Sequence, residues 1–218
     1  MFPTTARIRL RQASGVLLLG ALVVGQIPFA CTAAPTDASP TAVPNDVSAL
    51  VAPNDTLLAY KAADLYGDGK QAAVIVVRHQ VGGKSDYDFA SNPCELMVLR
   101  RKNGKLAEVD RSTKAVDCTY NDVARNAAAM SLNDNLTATP ASIVYVNQKD
   151  KGDSTFYFAW SKAKNTWYLQ RTTASNPVGS SVANVSASYP KDFAWTPMSS
   201  VDPDAMAAIL EKQGKTTK

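Results

Sequence analysis

The sequence has one histidine, His79, and three cysteines, Cys31, Cys94 and Cys118. That scarcity excludes much chemistry. With Cys31 set aside at the processing site, two cysteines and one histidine remain, short of the four ligands of a structural zinc site. A Ser-His-Asp set would have to use His79, and there is no Gly-x-Ser-x-Gly elbow to present the serine. Walker and dinucleotide-binding loops are also missing. Acidic pairs such as Asp86 and Asp88 occur, but in a loop-like stretch where carboxylates are ordinarily solvated. An excess of positive charge is lacking too. Removing Arg7, Arg9 and Arg11 of the N-terminal segment from 23 basic residues leaves 20 against 19 acidic ones. A nucleic-acid partner requires a basic surplus, so that class is set aside.

What the N-terminus does have is a secretory pattern. Three arginines precede the uncharged run Gly15–Gly25, and small residues follow at Ala30, Ala33 and Ala34. The run is too short for a spanning helix and reads as a signal peptide over residues 1–30, giving an exported protein. Two cleavage readings stand. Pro28-Phe29-Ala30-Cys31 resembles a lipobox with Pro28 in place of an aliphatic residue, which would make Cys31 a lipidated first residue in the periplasm or outer membrane. Ordinary cleavage after Ala33 or Ala34 is the other.

Residues 31–54 are rich in Pro, Ala, Thr and Asp, a composition that buries no core and reads as an extended linker. The only contact with a membrane would then be a lipid anchor. In an oxidising compartment Cys94 and Cys118 read as a disulfide, with two buried thiols as the alternative.

From Thr56 the pattern turns to strand. Leu57–Ala63, Ala72–His79, Glu95–Arg100 and Lys105–Val109 are short apolar or alternating runs. Asn103-Gly104 separates the last two and accepts the positive φ angles of a tight hairpin. Residues 110–141 read either as a helix from Asn121 or Asp122 through Met130 or as a long polar loop. Ser142–Asn147, Thr155–Ser161, Thr166–Arg171 and Val182–Ser188 continue the strand series. Phe156, Phe158 and Trp160 share one face by the two-residue period. Trp160 and Trp167 read as core rather than as a ligand platform. Pro203 opens a short C-terminal helix. The spacing predicts a mainly β, antiparallel domain over 55–213, either a two-sheet sandwich or a propeller-like arrangement, with residues 214–218 as a disordered tail.

The acidic, glycine-containing turn Asp64-Leu65-Tyr66-Gly67-Asp68-Gly69-Lys70 resembles the calcium loops of the VCBS and FG-GAP (integrin-α-like) repeats. Asp64, Asp68 and the Lys70 carbonyl fall on ligand positions, while Tyr66 and Ala72 replace expected oxygen donors. Three protein ligands make a weak site for an ion that wants six to eight oxygens. The loop therefore reads as a structural turn that keeps the outline of a metal site, with no cofactor and calcium as the alternative. Together with Thr155–Phe158 and Asn165–Leu169, it is similar to bacterial periplasmic proteins and lipoproteins carrying one such repeat. Some of these resemble lysozyme inhibitors and immunity proteins. The resemblance implies a non-enzymatic envelope protein whose partner is a protein such as a cell-wall hydrolase. A calcium- or glycan-binding surface module is the alternative, and an enzyme using His79 with a carboxylate is a third. The polar loop at Ser85 and Tyr87 is the place where a partner would be met.

Overall fold

The computed structural model describes residues 42–80, 93–118, 128–149, 151–178 and 181–216. Strands β1 (Thr56–Ala63), β2 (Ala72–Arg78), β3 (Cys94–Lys102) and β4 (Lys105–Ser112) form a four-stranded sheet in sequence order. Strands β5 (Leu136–Thr139), β6 (Ser142–Gln148), β7 (Asp153–Ser161), β8 (Thr166–Val178) and β9 (Ser181–Ser188) form a five-stranded sheet, again in sequence order. Every pairing is antiparallel. Helix α1 spans Asn45–Ser48 and helix α2 spans Pro203–Thr216.

Alternation along the strands sets the packing. Leu58, Val74, Val76, Leu96 and Val98 of the first sheet share one core with Ile143, Tyr145, Phe156, Phe158, Trp167 and Leu169 of the second. The two sheets are thus layers joined by their facing side chains, the sandwich among the two layouts the strand spacing allows. Removing that apolar surface from water is the main favourable term, at about 25 cal/mol per Å2. Met206 and Leu210, four residues apart on α2, enter the same core. Asp202 caps that helix by accepting the N–H groups of Asp204 and Ala205 at 3.0 and 3.3 Å. The helix continues to Thr216, beyond residue 213 where the composition places the end of the domain.

The opposite face of the first sheet is also dry. Tyr60, Ala73, Ile75, Val77, Met97 and Leu99 are buried there with Val47 of α1, and Val43 and Val51 pack against them. All seven residues of β2 are therefore buried. This corrects the reading of residues 31–54 as one extended linker. From residue 42 the chain lies on the sheet, and Asp46 pairs with Arg101 at 2.6 Å. Pro-rich composition disguised the segment, because a single valine provides its fully buried anchor.

Asn103 and Gly104 have φ angles of 52° and 80°, the doubly positive turn that their identities predict for the β3–β4 hairpin. Cys94 and Cys118 form a disulfide with Cα atoms 5.6 Å apart. In the chain-entropy account a loop of this length is worth about 3 kcal/mol. Strand β8 runs past Arg171 to Val178, because β9 supplies a partner for the polar stretch that follows.

Candidate functional site

The 64–70 loop connects β1 to β2. Gly67 and Gly69 adopt φ angles of 66° and 74°, which lets the chain fold back on Asp64. The Asp64 carboxylate accepts the N–H of Asp68 at 3.0 Å and that of Gly69 at 2.9 Å. Asp68 accepts the Lys70 N–H at 3.1 Å on one oxygen and the Arg100 guanidinium at 2.8 Å on the other. All four carboxylate oxygens thus have a protein donor. The cation beside Asp68 is the guanidinium of Arg100, reaching across from β3. Its hydrogen bond to Asp68 holds that carboxyl below the usual carboxylate range, helped by the Lys70 amide.

Tyr66, which departs from the repeat pattern, has a packing role. Its ring meets Trp160 edge-on at 4.7 Å, its hydroxyl accepts the Trp167 indole N–H at 3.3 Å, and Arg100 lies 4.0 Å above it. Burial pushes the phenol pKa upward. Trp167 is fully buried and Trp160 lies partly buried at its side. Both tryptophans of the β7–β8 hairpin therefore belong to the core, as the period-two reading expects.

His79 follows the last residue of β2. Its Nδ1 lies 2.6 Å from Asp55 and its Nε2 lies 3.2 Å from Glu95. Glu95 also receives Arg111 at 3.0 Å, and Arg111 binds Glu108. A general base needs an open ring nitrogen within reach of a substrate proton. Here both nitrogens face carboxylates, and the ring acts as a tie between the segment before β1 and the start of β3. Cys31, Ser85 and Tyr87 lie outside the described residues, as do Asn121 and Asp122.

One surface group carries no motif. Tyr157 alternates with buried Phe156 and Phe158, and Tyr168 alternates with buried Trp167 and Leu169, so both project from the outer face of the second sheet. Arg171 covers the Tyr157 ring at 3.8 Å. Tyr168 stacks on Trp195 at 4.2 Å, Tyr189 meets Trp195 at 5.5 Å, and Lys164 lies over Trp195 at 3.9 Å. Trp195 comes from an irregular segment held to β8 by the Leu169 N–H, which donates to the Thr196 carbonyl at 2.9 Å. The outward position of Tyr168 is readable from strand period. Trp195 is not, because its neighbours carry no periodicity. Lys164 lies in the exposed turn between β7 and β8. The result is a partly exposed aromatic group, edged by cations, with Tyr168 on β8 and the other two rings on the segment that follows β9. No protein family, curated protein or solved structure matches the chain.

Proposed function

We propose that this is a non-enzymatic binding protein of the cell envelope that inhibits, or gives immunity to, a secreted peptidoglycan hydrolase. Export, and anchoring through Cys31, belong to the same proposal. The observation that carries it is the Tyr168–Trp195–Tyr189 group with Lys164 at its edge. Trp, Tyr and Arg supply most of the energy in protein interfaces. Rings already stacked on one another lose little further entropy when a partner docks. Hydrolases that cleave glycosidic bonds carry a pair of carboxylates in a cleft, and a lysine on a hairpin turn is the complementary charge.

The test is a turbidity assay of cell-wall lysis, using hydrolases encoded beside this protein. The purified protein should suppress lysis by its cognate enzyme. Trp195→Ala and Lys164→Glu should weaken suppression at least tenfold, while the thermal midpoint stays near wild type. The proposal fails if none of those hydrolases is bound or inhibited. A glycan-binding module is the second reading, favoured by the same partly exposed rings, whose faces suit stacking on sugars. Calorimetric titration with cell-wall saccharides separates the two.

A further inference from the structure

A cavity of about 500 Å3 opens between α2 and the inner face of the second sheet, the side opposite the aromatic group above. It lies within the size range of small-molecule sites, roughly 300–1,000 Å3. Small side chains make the room. Ser154 and Ala174 pair across β7 and β8, and Ala207 faces them from the helix. Phe156, Val185, Met206 and Leu210 give the cavity an apolar lining.

Two features break that apolar character. The first is Thr172, which pairs with Phe156 across the strands. Its side chain is wholly buried and lines the cavity, and its hydroxyl has no hydrogen-bond partner. A hydroxyl both donates and accepts, and leaving one buried without a partner is unfavourable. The fold keeps it beside a space large enough for another molecule. The second is charge. Asp117, Asp153, Asp204 and Glu211 line the cavity against one basic residue, Lys149. Four carboxylates around a partly enclosed space favour a cation there.

We propose that the cavity binds a small organic amine: an apolar or aromatic body, an ammonium at the acidic rim, and a hydroxyl at the far end that pairs with Thr172. The Thr172 hydroxyl is closed to bulk water. The pairing requires Met206, an unbranched and flexible side chain in the same lining, to give way.

Three probes of one shape test this: tyramine, phenethylamine and 3-(4-hydroxyphenyl)propionate, titrated into the full mature chain by calorimetry. Tyramine should bind at least tenfold more tightly than phenethylamine, and the propionate should not bind. Thr172→Val should reduce the tyramine preference to within twofold, with a thermal midpoint at or above wild type. Thr172→Ser should keep the preference, which guards against a folding artefact. Asp204→Asn combined with Glu211→Gln should weaken both amines several-fold. The proposal is overturned if no amine binds at millimolar concentration, if the propionate binds as well as tyramine, or if Thr172→Val leaves the tyramine preference intact. Because the cavity and the aromatic group lie on opposite faces, hydrolase inhibition and amine binding succeed or fail separately.

Discussion

Asp110 of the first sheet holds the second. Its carboxylate accepts the backbone N–H of Trp167 at 3.1 Å and the Thr166 hydroxyl at 3.2 Å, both at the start of β8. Burial raises the Asp110 carboxyl above its ordinary range, against the hydrogen bonds that lower it. A raised folded-state value means the native state keeps its proton longer than the unfolded chain does. The corresponding stability is fully present below the unfolded carboxyl range and is lost as pH rises through the folded value. Carboxyl NMR titration should place Asp110 above a model aspartate. Asp110→Ala should cost about 1–3 kcal/mol in urea unfolding, because it strips the acceptor from an inter-sheet N–H.

Asp68 should titrate in the opposite direction. Arg100 depresses its carboxyl, so that contribution to stability is present above the ordinary range and disappears as pH falls through the lowered value. Arg100→Gln should return Asp68 toward its ordinary range by NMR. Millimolar calcium should leave the wild-type thermal midpoint unmoved, since amides and a guanidinium already occupy the loop's carboxylates. A calcium-dependent rise would restore the metal reading of the loop.

Val47→Ala tests whether residues 42–51 belong to the folded unit. Val47 is completely buried against the outer face of the first sheet. Losing two methyl groups there should cost about 1–3 kcal/mol. An unchanged denaturation midpoint would return the segment to the status of a tether.

Gly152 and Gly67 separate two kinds of glycine. A Cβ at Gly152, with φ of 86°, would lie 1.8 Å from the Ser175 carbonyl oxygen. At Gly67, with φ of 66°, nothing lies within 4 Å. Gly67→Ala should cost about 1–2 kcal/mol from backbone strain alone. Gly152→Ala should cost clearly more, since the β7–β8 ladder must also give way. Equal losses in thermal unfolding would contradict this.

Much of the fold is legible in the sequence because it is local. Asn103-Gly104 names its own turn, Phe156 and Phe158 announce a buried face by their spacing, and Pro203 opens the last helix. What stays hidden is long-range. Nothing near Tyr66 reveals that it will meet two tryptophans roughly a hundred residues away. Asp110 looks like an ordinary surface carboxylate until β8 is laid across it. Val47 is one apolar residue in a polar, proline-rich stretch, and composition averages it away. Trp195 sits where no period operates. His79 is conspicuous from its rarity alone, but its two carboxylate neighbours come from segments that only the sheet brings together.

Each sheet is a meander made from one uninterrupted half of the folded chain, residues 56–112 and then 136–188. No strand has to wait for a distant segment before it can pair, which keeps loop-closure entropy small during folding. The disulfide, spanning 24 positions, closes entirely in and just beyond the first meander. The segment leading to Cys118 also reaches the second sheet, since Asn147 of β6 accepts the Asp117 N–H and donates to the Ala115 carbonyl, both at 2.8 Å, so the disulfide fixes a junction that both sheets share. In hydrogen exchange, reduction should lower protection on both sides of that junction, at β3 and at β6.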